Sequence, residues 1–472
     1  MSEVKKQERD YTPEVDALLP DAIALADSGK VPEAIDTLLA LEKQTRNASD
    51  VKSTTRLATT IMDIAHKAQD WDLVVSSLSL LAKKHGQLKA TIQAIVEQAV
   101  SWLDEIKEKA GLEAWFNTAE GVRTVSEGRI FLERERARVT LMLAHYHEKK
   151  AETEGLPSLE TASEMLSEMQ VETYSSMERK EKTQFILEQM RLLMRVAEAK
   201  DEQAGTDGKG EGGGEAEWVK VRISGRKVNE AFLTEKENEE LKLKYYELMI
   251  KYGLHTEAYL DVAKYWYKVW ETPSIKSDEG ENGKGWLALV HIACFVIVAP
   301  HNNEQSDMLN RLFVDPALKK LESLYLLVKC FTTKELSRWP GVESLYGAML
   351  EKTDVFTRET PGGRKRYEDL HTRVIEHNIR VIARYYTRMT LARLTSLLDL
   401  SVEKTEETLS RLVVAGTVYA RIDRPAGIID FKAKRGVEDV MNEWSTDMQK
   451  LLGLVEKSWM GMNAAMAAQA RV

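Results

Sequence analysis

The sequence predicts a mainly α protein: a right-handed, tetratricopeptide-like helical-repeat solenoid ending in a winged-helix module and a long C-terminal helix. Three observations carry this. Amphipathic segments with apolar residues at helical spacing follow one another as far as about residue 370. Between residues 378 and 431 the period switches between helix and strand in the order helix, extended piece, two helices, hairpin. A heptad-like stripe then runs from Val437 to Met462.

The first hairpin is read from Ala22, Leu25 and Ala26, then Gly29, then Pro32, Ala34, Ile35, Leu38 and Leu39. Pro32 suits the first turn of the second helix, where a missing N–H costs little. Further helical faces follow, one from Ile186, Met190, Leu193 and Ala197, another from Leu241, Tyr245, Leu248 and Tyr252. No exact repeat period recurs, so the array is degenerate. Trp71, Trp102 and Trp115 are expected as packing anchors between hairpins. Such arrays present long surfaces and favour binding over chemistry.

The glycine-rich stretch 203–215 is expected to be a flexible insertion. Gly208, Gly210 and Gly213 fit G-x-G-x-x-G, but no strand precedes them and no apolar helix is expected directly after. Gly208-Lys209 makes no P-loop, because Gly210 stands where Ser or Thr should hold magnesium. The apolar run Leu287 to Ala299 is too short to span a bilayer and reads as a buried helix.

In the winged-helix stretch, Ile375, Ile379, Ile382 and Tyr386 mark one helix face. Leu391, Leu394, Leu397 and Leu398 mark a second helix. Ser401 is placed to cap a third, with Val402, Leu409, Leu412 and Val413 inward and Gly416 supplying its left-handed end. Residues 418–423 and 428–431 read as a hairpin around Arg424-Pro425-Ala426-Gly427. The third helix, which would read a DNA groove, carries Glu403, Glu406 and Glu407 against Lys404 and Arg411, a net −1. The whole chain carries −9 over 472 residues. Phosphate binding asks for the opposite sign, so protein docking is the expected use.

Arg373, Arg380, Arg384 and Arg388 fall opposite the apolar face of the first helix, within a segment 364–393 of net +5 (eight Lys/Arg, three Asp/Glu). Two readings stand: a solvated face, or an arginine face that meets an acidic partner and sets orientation. The C-terminal stripe is Val437, Met441, Trp444, Met448, Leu451, Val455, Trp459 and Met462. It either folds back onto its own domain or enters an intermolecular bundle.

Composition is that of a folded protein, 43% hydrophobic and 30% charged. Cys294 and Cys330 are the only cysteines, which points to a reducing compartment. The N-terminal MSEVKKQERDYTPE has no apolar core and is not expected to be a signal peptide. No catalytic constellation emerges. His145 and His147 diverge by about 200° on a helix, and Gly155 occupies the position where the metal-dependent deubiquitinase motif needs serine. His291 beside Cys294 reads as a satisfied core histidine. His371 and His377 are expected to see solvent.

A helical-repeat array leading into a winged helix resembles the PCI-domain family, and closest to the family members of the proteasome lid. The residues that carry the resemblance are Tyr11-Thr12-Pro13-Glu14-Val15-Asp16, LEKQTR (41–46), QVETYSSMERKEK (170–182), FILEQMRL (185–192) and LKLKYYELMI (241–250). NEQSD (303–307), FTTKEL (331–336), the 374–401 stretch and AGIIDF (426–431) extend it. Only the glycine-rich 203–215 departs from the pattern. The resemblance implies a division into a solenoid (1–240), a helical part of the PCI domain (241–372), the winged helix (373–432) and a bundle helix (433–472). It implies a non-catalytic scaffold without cofactor or metal, supporting lid assembly and ubiquitin-dependent protein degradation in cytoplasm and nucleus. Its partners would be other PCI-domain lid subunits, the lid deubiquitinase subunit, the proteasome core particle and the ATPase ring, in a hetero-oligomer with no nucleic acid and no membrane. The hairpin, with Val418, Tyr419, Ile422, Ile428 and Phe431, would pair with neighbouring sheets. Met441, Trp444, Met448, Leu451, Val455 and Trp459 would enter a shared bundle, and Arg380 and Arg384 would face a partner. The alternatives are a PCI scaffold of the signalosome and a winged-helix nucleic-acid-binding protein.

Overall fold

A computed structural model describes residues 9–206, 213–277, 283–431 and 436–469. The chain divides into two compact units, Met1–Thr256 and Glu257–Val472.

The first unit is a succession of helices in which chain neighbours pack on one another. The opening hairpin is Thr12–Asp27 and Val31–Asn47, reversed at Gly29 with φ +87° and with Pro32 in the first turn of the second helix. Only glycine adopts that φ at little cost. Asp50 caps the next helix, Val51–Lys67, by accepting from the Ser53 N–H at 3.2 Å, and takes the Tyr11 N–H at 3.1 Å. One carboxylate thus ties the start of the chain to the third helix. Trp71 and Trp102 enclose the His66 ring, stacked on Trp102 at 4.3 Å and edge-on to Trp71 at 5.5 Å, while Trp115 is buried. All three serve as packing anchors. Glu42, fully buried, is neutralised by Arg46 at 3.2 Å and Lys84 at 2.8 Å, as a charge removed from water requires.

The glycine-rich stretch is more structured at its ends than its composition suggests. The helix Arg179–Thr206 covers its start, and a helix does begin directly after it, Glu215–Lys227. Residues 207–212 lie outside the described residues. Asp201 secures the junction: its carboxylate accepts from the Gly214 N–H at 2.9 Å and the Trp218 indole N–H at 2.8 Å. His255 stacks on Trp218 at 4.0 Å and pairs with Asp201 at 3.3 Å. A Cβ at Gly214 would sit 2.6 Å from the Ala197 carbonyl oxygen, so this glycine is required by close approach.

In the second unit the apolar run forms the helix Lys284–Val298, buried on nearly every side. Nδ1 of His291 lies 2.7 Å from the Leu287 carbonyl, a satisfied core histidine as expected. The helix Pro361–Tyr385 packs on this helix and on the winged helix that follows. That double contact explains two departures from the sequence reading. Residues 374–379 are buried without interruption, so His377 is 7% exposed rather than solvated. Tyr386 falls just past the helix end and is exposed.

The winged helix is completed by strand β1 (Arg388–Thr390), helices Leu391–Leu398 and Val402–Val414, and strands β2 (Arg421–Asp423) and β3 (Ile428–Asp430). Arg388 is therefore a strand residue, not part of a helical arginine face. Asp399 takes the left-handed conformation at φ 55° between the two helices, and Ser401 caps the second by accepting from the Lys404 N–H at 3.4 Å. Gly416 closes that helix at φ +70°. Val402 is exposed at its first position, and Thr405 takes the inward place with Leu409 and Leu412. The sheet is antiparallel in the order β1-β3-β2, with Met389 opposite Ile429 and Ile422 opposite Ile429. Ile429, Met389, Leu394, Leu409, Leu412 and Ile379 form its core.

Candidate interaction surfaces

Three features of the second unit are open to solvent: the terminal helix, the edges of the small sheet and a cavity on the Pro361–Tyr385 helix. The first is the terminal helix, Val437–Gln469. Every residue of its expected stripe is exposed, Trp444 and Trp459 each at 61%. Val440 and Leu454 on one flank and Leu452 on the other, also exposed, widen the stripe to an arc of about 160° at 100° per residue. A strict two-helix seam is narrower, so this arc has room for more than one partner helix. Exposed Trp and Met at this density exceed the single apolar residues scattered over an ordinary surface.

The second feature is the small sheet. β3 lies between β1 and β2, so Ile428 and the strand that carries it have no free edge. The free edges belong to β1 and β2, three residues each. Val418 lies ahead of β2 rather than within it, its N–H on the Leu412 carbonyl at 3.4 Å. Val418 and Phe431 are buried in the winged-helix core, and Ile422 and Ile428 are half-buried. Of the hairpin residues singled out from the sequence, Tyr419 alone presents its side chain outward, at 46%. The β2 edge can offer backbone N–H and C=O groups to an added strand; the apolar side chains hold the wing onto its own core.

The third feature lies on the Pro361–Tyr385 helix, where Arg373, Arg380 and Arg384 have separate fates. Arg373 donates Nε to the Val298 carbonyl at 3.0 Å and Nη1 to Glu376 at 2.6 Å. Arg411 takes the other Glu376 oxygen at 3.2 Å. Arg384 is exposed, whereas Arg380 is half-buried beside His377. Both face a cavity of about 230 Å³ that also reaches His301 and Phe331. Burial holds the Arg380 guanidinium down to about 10. Burial, with the Arg380 charge added, holds His377 at about 4. Periodicity gave no sign of this cavity, because its walls come from three separated segments.

In the first unit, the paired histidines point to different neighbours. His145 pairs with Glu188 at 3.7 Å, and the His147 ring sits edge-on to Phe116 at 5.8 Å. Among the described residues no group of three or more His, Cys, Asp or Glu is arranged to hold a metal ion. Also among the described residues, no helix is long and apolar enough to cross a membrane.

Comparison with known proteins places these surfaces in context. The family model described as PSMD12/CSN4, N-terminal, matches residues 33–278, and the PCI domain model matches residues 327–433. The 26S proteasome regulatory subunit RPN5 of Saccharomyces cerevisiae is 38% identical over 96% of this chain and 94% of its own length. The 26S proteasome regulatory subunit rpn501 of Schizosaccharomyces pombe is 36% identical over 96% and 95%. The 26S proteasome non-ATPase regulatory subunit 12 of Dictyostelium discoideum is 37% identical over 96% and 94%.

Proposed function

Since the chain belongs to the PSMD12/CSN4 family of PCI-domain proteins, we propose that it is a non-catalytic scaffold subunit of the 26S proteasome regulatory particle lid. In this role it supports lid assembly and ubiquitin-dependent protein degradation in cytoplasm and nucleus. The observation that carries the reading is the terminal helix, whose whole apolar arc faces solvent in the isolated chain. Full burial of a large apolar side chain is worth roughly 1.5–3 kcal/mol, so an exposed row of them is a strong drive to associate. The occupants proposed for it are the equivalent helices of other PCI-domain lid subunits. The β2 edge adds a second joint by strand addition. The lid deubiquitinase subunit, the core particle and the ATPase ring complete the proposed partner set. Chemistry is proposed to lie with a neighbour, because Gly155 stands where the metal-dependent deubiquitinase motif needs serine.

Truncation after Gly436, which keeps the buried Phe431 in place, tests this. The expected product is a folded chain that no longer enters a lid co-produced from its subunits. Normal incorporation would overturn the assignment of the terminal helix. Identifying the chains that co-purify with the full-length protein separates a lid from a signalosome.

A further inference from the structure

We propose that the cavity between the Asn303–Val314 helix, the Phe331–Lys334 segment and the Pro361–Tyr385 helix receives a carboxylate side chain from a neighbouring subunit. This rests on the assembly reading above and names a contact within it.

The cavity, about 230 Å³, is of a size for one side chain rather than for a cofactor. Lys334, Arg380 and Arg384 line it together with His301 and His377, and no Asp or Glu does. This is a concentrated positive site on a chain of net charge −9. One donor here is left unsatisfied: Nη1 of Arg380 is buried and has no hydrogen-bond partner. His377 is itself 93% buried. A guanidinium N–H withdrawn from water without a partner is costly, and native structures normally give such groups one. The nearest carboxylate on the same helix, Glu376, is already committed to Arg373 at 2.6 Å and Arg411 at 3.2 Å.

The walls are also fixed before any ligand arrives. Gln305 is held by the Asn302 cap at 2.7 Å and by the Val296 carbonyl at 2.9 Å, and its Oε1 lies 3.2 Å from Nδ1 of His301. Next to His377, Asn378 ties its helix to the chain beyond Lys334, accepting from the Ser337 N–H at 2.9 Å and donating to the Ser337 carbonyl at 2.7 Å. A guanidinium, with its planar fork of donors, pairs best with a planar carboxylate. Leu309, Phe331 and Val381 line the remaining wall and suit the methylene stem of a glutamate or aspartate. That apolar lining favours an acidic side chain over a free inorganic anion.

Arg380→Met provides the test, because it keeps the stem and removes the buried charge. The free full-length variant is expected to unfold at the same temperature as the parent or higher. Its incorporation into a lid co-produced from its subunits is expected to fall at least about tenfold, as loss of one partner of a desolvated pair does. Arg380→Lys, which keeps the charge without the fork, is expected to fall between the two. Incorporation of Arg380→Met at the parental level overturns the proposal. So does stabilisation of the free parent chain by millimolar inorganic phosphate without any assembly defect in the variant, which would mark a small-anion site. If truncation after Gly436 also leaves assembly intact, the assembly reading itself has failed; if only Arg380→Met does, the cavity alone was misassigned.

Discussion

Arg191 grips Glu148 with both prongs of its guanidinium, Nη1 to Oε1 at 2.6 Å and Nη2 to Oε2 at 2.8 Å, and turns its Nε to Glu188 at 2.7 Å. The pair joins the helices Glu133–Glu154 and Arg179–Thr206, which both pack on the Leu156–Ser167 helix between them in sequence. The geometry is what a flexible ammonium cannot reproduce. Arg191→Lys should therefore cost the first unit roughly 1–2 kcal/mol, the difference between a forked and a single charge-assisted bond. Equilibrium urea unfolding followed by circular dichroism measures it; a midpoint equal to the parent's would mean the fork is ornamental.

Two acid-sensitive groups should act in different pH windows. The His145 and Arg191 hydrogen bonds pull Glu188 down to about 2 from an ordinary 4.5. A carboxyl depressed by folding adds stability above its unfolded pKa, and that stability drains away as pH falls from 4.5 towards 2. His377 is depressed from 6.5 to about 4, chiefly by burial. Between those values the unfolded chain binds the extra proton, so stability is lost as pH falls from 6.5 towards 4. Glu188→Gln should shrink the loss in the lower window, where Glu148 and Glu181 still contribute, and leave the upper one, while His377→Gln should do the reverse. Urea midpoints taken across pH 7 to 2.5 test both, and a single shared window would contradict the separation.

Gly214 has less room than its glycine-rich surroundings imply. A methyl group there meets the Ala197 carbonyl oxygen at 2.6 Å and the Asp201 carboxylate at 2.9 Å. Gly214→Ala should push the Glu215–Lys227 helix away from Asp201 and cost about 1–3 kcal/mol, the usual range for overpacking. Thermal unfolding gives the value. A variant as stable as the parent would show that the Asp201–Trp218–His255 knot can shift freely.

The helical period was legible because most helices bury one face: Ile35 and Leu38, or Ile186, Met190 and Leu193, appear in the core where their spacing puts them. The winged helix was legible for the same reason, together with Ser401 and Gly416 at its helix ends. The Pro361–Tyr385 helix was read from Ile375, Ile379 and Ile382, all buried, but its second buried face escaped. A pattern of apolar and polar letters assumes that polar residues face water, yet Glu376, His377 and Asn378 are all buried. Glu376 and Asn378 are satisfied by Arg411 and Ser337, partners 35 and 41 residues away. No local period encodes such pairings. The strand order was equally hidden, since β1 comes from the far side of two helices and makes β3 the central strand. The terminal stripe was visible from spacing; that nothing among the described residues covers its arc required the fold.

Trp444 and Trp459 separate folding from assembly most cleanly. Both are 61% exposed on the terminal helix, so removing their rings takes little from the chain's own core. The double variant Trp444→Ala/Trp459→Ala should unfold within about 0.5 kcal/mol of the parent, as exposed substitutions do. In a bundle the same rings would be buried anchors, where truncation costs about 2 kcal/mol or more each. Incorporation into a co-produced lid should therefore fall by well over about tenfold for the pair. Ile429→Ala supplies the contrast: Ile429 is fully buried in the winged-helix core, and its truncation should cost about 2–5 kcal/mol of folding stability. Native gel analysis of lid assembly, read beside thermal unfolding of each free variant, distinguishes the two effects. If the tryptophan variant instead lost stability like Ile429→Ala and assembled normally once folded, the terminal helix would belong to the chain's own core.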